Sequence, residues 1–522
     1  MIATFLKRSW STYFGNATAV RDYRSQLRGN KAVWIWGGYL ALLILLCAIA
    51  YSGFVREQEQ SIAQLQSQLN NFYRVVMMML GAVIVLAAPA MTASTITIER
   101  QRKSLDLIFS APVSPRYFLM GKLIAGFRYL LMLLVLALPV TSVCVVMGGA
   151  TWGDVVGAFL LLMASGLVMM SIGLLISSLA PTTISAIAGT YMAILAYTGL
   201  TSLFSALLVA SAIGGPMMGM SGTNEATWTV ALSPFTVSMA APTFTRIGTT
   251  EVPNWVFALV FALVLSKLLL AGAGSALSPY GSSETKILRA QGWLFAFLLA
   301  FLSAVPLGSF AMTTLRSATA GSPSGPSPDY IIGLLIGVAT ASIFFVLPHI
   351  VCFAKEADLK YRNDGVFSLR KVLVGTPAGA FPYLLILSLS GSAGAALGFR
   401  YSSGQWPSYE FLSLALWSIG YLTLWWGLGR YFSSFKLGLK GARSALIAIM
   451  ILLIAVPVPI FAMYMAGQMY GADATSIWRL HLLYPLSTDG SQVAWGYGLA
   501  CGIAGLLFAF LGEANVKRSE SR

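Results

Sequence analysis

Apolar residues run through this chain in long, nearly unbroken stretches of about 20 positions, separated by short polar segments. Twelve stretches stand out, at approximately 33–54, 73–94, 118–148, 155–179, 184–211, 254–277, 291–312, 330–353, 379–398, 410–430, 444–467 and 492–512. At 1.5 Å per residue, about 20 residues cross a hydrocarbon core roughly 30 Å thick. Lipid offers backbone N–H and C=O groups no partner, so such stretches must form helices. A barrel would need many strands of about ten residues with alternating polarity, and none is visible. The pattern predicts an all-α polytopic membrane protein with about 12 transmembrane helices.

Composition agrees with this class. Of the 522 residues, 57% are hydrophobic and only 10% charged, against about 25% charged in a soluble protein. The net charge of +15 would suit nucleic acid if the cations lined one soluble face, but they are distributed by loop. With both termini cytoplasmic, segments 1–32, 95–117, 180–183, 278–290, 354–378, 431–443 and 513–522 hold 23 lysines and arginines. The opposite side holds Arg56, Arg246, Arg316, Arg400 and Arg479. This positive-inside bias fixes the orientation and removes nucleic acid as a partner, leaving lipid. Cys47, Cys144, Cys352 and Cys501 lie in or beside apolar runs without metal-ligand spacing, and His349 and His481 are isolated, so no metal site is expected. Some 30 residues with six cations precede the first span, which argues against a cleaved signal peptide.

Six spans fall on each side of a polar linker, predicting two six-helix halves. The divisions are a basic interfacial helix at 1–32, a first half at 33–277 with cytoplasmic loop 95–117, and the linker at 278–290. A second half at 291–512 with loop 354–378 and a tail at 513–522 follow. In residues 17–31, Val20, Tyr23 and Leu27 form one helical stripe beside Arg21, Arg24 and Arg28, the pattern of a helix lying on lipid headgroups. Good helix formers at 54–72 predict an outward extension of the first span. The weakly charged external segment 212–253 either dips back toward the bilayer or stays exposed. Leu232-Ser233-Pro234-Phe235-Thr236 precedes span six and Tyr484-Pro485-Leu486-Ser487-Thr488 precedes span twelve, an internal echo that suggests duplication.

Loop 95–117 carries the most informative chemistry. Ile98, Leu105, Ile108 and Phe109 recur at near-helical spacing with Glu99, Arg100, Arg102, Lys103 and Asp106 between them. The spacing predicts one short amphipathic helix on the membrane surface, stopped by Pro112 and Pro115. Joined to two spans, it would convert a push from a soluble partner into tilt of both.

The run Glu99-Arg100, Ser104-Leu105-Asp106-Leu107-Ile108, Ala111-Pro112-Val113-Ser114 and Gly121-Lys122 resembles the E-R-x-x-G-T-L-E-L-L-x-x-T-P-V-S motif, with its following Gly-Lys, of ABC type-2 permeases. Lys103-Ser104 stands where that family usually has Gly-Thr, and Ala111 where it has Thr. The resemblance extends to Arg21-Asp22-Tyr23-Arg24, to Gly173-Leu174-Leu175-Ile176-Ser177-Ser178 and to Leu232-Ser233-Pro234-Phe235, covering roughly residues 15–280. It implies a permease that moves substrate outward across the cell membrane, driven by a separate ABC ATP-binding subunit docked on the loop. Glu99, Arg100, Arg102, Lys103, Leu105, Asp106, Leu107, Phe109, Pro112 and Ser114 would form that coupling element, with Glu99 near the contact. The chain has no G-x-x-x-x-G-K-[ST] sequence, so it is expected to be no enzyme, with ATP and Mg on the partner and no cofactor of its own. In the second half, Glu356, Asp358 and Arg362 keep the mixed charge of the loop but not its Leu-Leu core or Gly-Lys.

Within the spans, Lys267 either snorkels to the inner interface or lies on a path for an anionic substrate; Lys122 and Arg128 are read the same way. Two readings compete with the permease. A twelve-span secondary transporter would require ion-coupling carboxylates in the spans, which are missing, and a non-transporting scaffold would need no ATP-binding subunit. One chain could be a complete two-half unit, or two chains could pair as a homodimer.

Overall fold

The computed structural model describes residues 19–21, 30–54, 62–110, 114–212, 231–247, 250–278, 283–319, 369, 372–373, 379–404, 406, 409–433 and 493–520. Helices dominate, and eight of those described are long and apolar enough to cross a membrane. The all-α membrane class is therefore correct. The chain divides into two compact units, Met1–Pro279 and Tyr280–Arg522. The expected spans at 330–353 and 444–467 lie outside the described residues, as does most of 17–31, of which residues 19–21 and 30–31 are helical.

In the first unit the helices are α1 (Asn30–Phe54), α2 (Ile62–Ala90), α3 (Thr95–Gln101), α4 (Ser104–Ser110), α5 (Pro115–Val146), α6 (Trp152–Leu179) and α7 (Thr183–Ala212). A short helix α8 (Val237–Ala240), the strands β1 (Phe244–Ile247) and β2 (Thr250–Pro253), and α9 (Asn254–Leu277) complete it. Residues 62–72 lengthen α2 rather than the first span, which ends at Phe54. The starts of the long helices are written locally. Ser114 accepts a bond from the Tyr117 N–H ahead of Pro115, and Thr151 and Asp154 form a reciprocal capping box on α6. Both satisfy N–H groups that a helix cannot pair itself.

The most buried span of this unit is α6, which packs against α2, α5, α7 and α9. Small residues set the separations: a Cβ on Gly166 would collide with Leu130, and one on Gly126 would lie 3.0 Å from Met170 Sδ.

Part of the segment 212–253 is described. Residues 231–243 descend into the unit beside α2 and α6, where Ser233, Val237 and Ala240 are fully buried. The Pro234 carbonyl presses on Gly81 of α2, nine residues or about 14 Å from that helix's C-terminal end at Ala90. Polar groups are matched on the way: Ser202 and Ser233 hydroxyls pair at 2.9 Å, and Asn254 Nδ2 donates to Thr243 Oγ1 at 2.7 Å. The antiparallel hairpin β1–β2 then leads into α9. This eight-residue ribbon is an addition to the all-helical expectation.

Four helices of the second unit are described: α10 (Ser283–Thr319), α11 (Ala380–Ser403), α12 (Tyr409–Ser433) and α13 (Ala494–Glu520). They pair closely in twos. Gly394 and Gly398 of α11 lie against the carbonyls of Phe297 and Phe301 of α10, and a Cβ on Gly398 would sit 2.6 Å from the latter. Gly420 and Gly427 of α12 face Gly498 and Gly505 of α13 with backbones in contact. The seven-residue spacing on both helices keeps these glycines on one seam, where only the missing Cβ permits such an approach. Trp417, Tyr421 and Trp425, four residues apart on α12, are almost fully buried, and the Trp417 and Tyr421 rings stack at 5.2 Å. In the last turn of α11 Arg400 lies 4.2 Å over exposed Trp406, a pairing of cation and indole.

Candidate functional site

Loop 95–117 folds as two short helices instead of one. The break falls at Arg102 and Lys103, where Lys103 has φ +54°, a left-handed backbone that cannot continue a right-handed helix. For a residue with a Cβ this conformation costs roughly 1–2 kcal/mol. It also accounts for the glycine usual at this place in the motif that the sequence resembles, so the Lys103 departure is energetically real. Pro115 opens α5 rather than closing the loop helix.

The first of these helices, α3, is locked onto the C-terminal end of α6 by reciprocal caps. Its own Ser94 makes no side-chain cap bond. Ser177 of α6 fills that role instead, its hydroxyl accepting the Ile96 N–H at 3.1 Å and the Thr97 N–H at 3.3 Å. In return Arg100 of α3 donates to the Ser178 carbonyl at 2.7 Å and the Ala180 carbonyl at 2.8 Å. A guanidinium there meets both the orphan carbonyls and the negative end of the helix dipole. Gly173 makes the approach feasible, since a Cβ would collide with the Thr92 hydroxyl. Gln101 Oε1 accepts from Thr183 at 2.9 Å, joining α3 to the start of α7.

Glu99 lies at the centre of the second set of contacts. Its carboxylate sits 3.3 Å from Lys122 Nζ of α5 and 3.5 Å from Arg21 Nη2. The Ser104 hydroxyl lies against the same carboxylate and 3.0 Å from the Glu99 carbonyl oxygen. Burial pushes the Glu99 carboxyl up, but the Ser104 hydroxyl, Lys122 and Arg21 together hold it below the ordinary carboxylate range. Its side chain is only 17% exposed. Lys122, read from the sequence as snorkelling or lying on a substrate path, is buried, 8% exposed, with its ammonium 5.5 Å from the Phe118 ring centre.

The other expected coupling residues divide by exposure. Arg102 and Lys103 are exposed, Leu105 is buried, and Ser114 is an exposed helix cap. Asp106, Leu107 and Phe109 belong to α4, but their side chains lie outside the described residues, as does Pro112. Glu356, Asp358 and Arg362 also lie outside them. From the same cytoplasmic loop, Val372 is described: its carbonyl accepts from Arg289 of α10 at 2.6 Å, and that guanidinium lies 5.2 Å from the Tyr383 ring centre. Lys267 is exposed on α9 and is not part of this cluster.

Sequence reasoning named Glu99, Arg100 and Lys122 but gave them no intramolecular partners. It quoted Gly173 and Ser177-Ser178 as a separate weak motif. The structure brings these pieces together with Arg21 around α3. Thr183 and Thr92 were missed, because a lone threonine beside a span carries no signal of its own.

With this geometry in view, residues 56–307 match the family described as ABC-2 family transporter protein. No curated protein matches the chain.

Proposed function

We propose that the chain is the permease of an ABC exporter in the cell membrane, a reading supported by the match of residues 56–307, a little under half of the chain, to the ABC-2 transporter family. Loop 95–117 takes up a separate ATP-binding subunit, which carries the ATP and Mg and does the hydrolysis. Substrate moves outward through the membrane part. The observation that carries this reading is the bracing of α3. A surface loop that served only topology would not need its short helix capped from α6 by Ser177, clamped back by Arg100, and tied to α5 through the Glu99 and Lys122 pair.

The bracing also gives the coupling a route. Displacement of α3 is resisted at three helix ends at once, so a push from the docked subunit is delivered to α5, α6 and α7 as well as to α2. The deeply buried α6 takes the largest share through its two-way caps. Because α6 runs 28 residues, or about 42 Å, movement at its cytoplasmic end is carried to the outer segment packed on Gly157 through Ala241.

The test is affinity purification of the tagged chain in mild detergent, wild type beside Glu99→Arg, with mass spectrometry and an ATPase assay of what co-elutes. A subunit with a P-loop that accompanies the wild type, hydrolyses ATP, and is depleted by Glu99→Arg is the expected result. An intact chain that brings no ATP-binding subunit would refute the proposal.

A further inference from the structure

The same loop separates the residues that hold it in place from those left for a partner. Within 99–104, Glu99 and Ser104 face each other and Lys122, Arg100 faces the end of α6, and Gln101 reaches Thr183. Gln101, Arg102 and Lys103 are the exposed residues of this stretch, and with Gln101 engaged by Thr183, Arg102 and Lys103 present their exposed side chains at the break between α3 and α4. That break is the point of the paired helices farthest along the chain from either neighbouring span. Glu99, the nearest carboxylate whose side chain is described, is already offset by Lys122 and Arg21, and Arg102 and Lys103 place two cations at the apex. Lys103 keeps a left-handed backbone that glycine would adopt without strain, and retaining lysine there places a long cationic side chain at the apex.

We infer that Arg102 and Lys103 are the contacts by which this permease selects its ATP-binding subunit, and that the subunit meets them with an acidic patch. The inference rests on the docking proposed above and makes it specific. Glu99 and Arg100 act as positioning residues that hold the apex, and the apex pair reads the partner. Opposite charges at such an accessible contact act mainly on association rate, salt dependence and choice of partner. Anionic lipid is the rival occupant of two exposed cations, and its chemistry is separable by experiment.

The experiment uses full-length permease co-expressed with the P-loop subunit that co-purifies with it. A water-soluble carbodiimide joins a lysine amine to a carboxylate in direct contact with loss of water. The expected product is a crosslinked peptide pairing Lys103 with an Asp or Glu of the subunit. In parallel, Arg102→Glu with Lys103→Glu should lower subunit affinity about tenfold at physiological salt, the scale of two accessible ion pairs lost and reversed. Arg102→Gln with Lys103→Gly, which should fold at least as well, should weaken binding less and flatten its salt dependence. Wild-type binding that both double variants match, with no Lys103 crosslink, overturns the inference and leaves the docking proposal standing. Loss of binding only to vesicles containing phosphatidylserine, with subunit binding unchanged, overturns it in favour of lipid. No subunit on the wild type removes both.

Discussion

Arg100→Met removes the clamp between α3 and α6 while keeping an unbranched apolar stem of similar reach. Two charge-assisted bonds are lost, to the Ser178 and Ala180 carbonyls at 2.7 and 2.8 Å. Bonds of this kind contribute roughly 1.5–3 kcal/mol each when both ends are buried. Arg100 is only part-buried, so water can reach the vacated carbonyls and recover much of that. About 2 kcal/mol for the pair is the expectation, with Ser177 still capping α3 from the other side. Unfolding of a polytopic membrane protein is seldom two-state, so a melting temperature would blur the effect. Hydrogen exchange of purified protein in detergent reads local opening directly. Peptides covering 95–101 and 176–183 should lose about 30-fold in protection, while those covering α9 keep theirs. Arg102→Met, at an exposed neighbour on the same loop, should change neither. Equal protection in Arg100→Met and wild type would refute the claim that the two helices brace one another.

Lys103→Gly relieves the left-handed strain and, after the extra chain entropy of glycine, should stabilise the loop by about 0.5–1 kcal/mol; slower exchange of amides at 99–105 would register it, and faster exchange would count against the assigned backbone. Gly427→Leu forces a side chain into the Gly505 backbone and should part α12 from α13, seen as aggregation on size exclusion, with Gly496→Leu, at an open position, eluting normally. Glu99 titrates below its ordinary value, so its ion pairs contribute fully above that ordinary carboxylate value of 4.5 and are lost as pH falls through the lower folded value. Subunit retention and loop protection should therefore be flat from pH 8 to 5; a decline already centred near pH 6 would contradict the assigned partners of Glu99.

The membrane class and most spans could be read from the sequence because lipid leaves a stretch like 155–179 a single backbone solution, and α6 occupies Trp152–Leu179. Helix ends were less legible where they depend on who supplies the cap. Residues 62–72 are good helix formers whichever neighbour they join, and nothing local in them favours α2 over the first span. The glycine seam of the second unit escaped notice for a different reason. Gly420, Gly427, Gly498 and Gly505 each look permissive in isolation, and only the common seven-residue interval, set on two helices distant in sequence, identifies a close backbone contact.

The candidate site itself was half legible, and the missing half is the part made by packing. A residue pattern can announce that Glu99 and Arg100 are charged beside an apolar stripe, but a charge near a span has an adequate explanation in topology alone. What separates the two cases is the destination of each side chain. Arg100 finds two carbonyls that α6 cannot pair for itself, and Glu99 pairs with a buried lysine of α5. Each cluster residue thus removes a polar deficit created by another helix's end or burial. For that reason Glu99-Arg100, Gly121-Lys122 and Gly173 through Ser178 function as one unit although up to 79 positions separate them. Changing Arg100 or Ser177 removes a partner from a different helix, so their effects on local opening should be coupled rather than additive. A double-mutant cycle between Arg100→Met and Ser177→Ala, followed by exchange in 95–101, tests this: the second change should matter less once the first has freed α3, and strict additivity would mean that the two caps act independently.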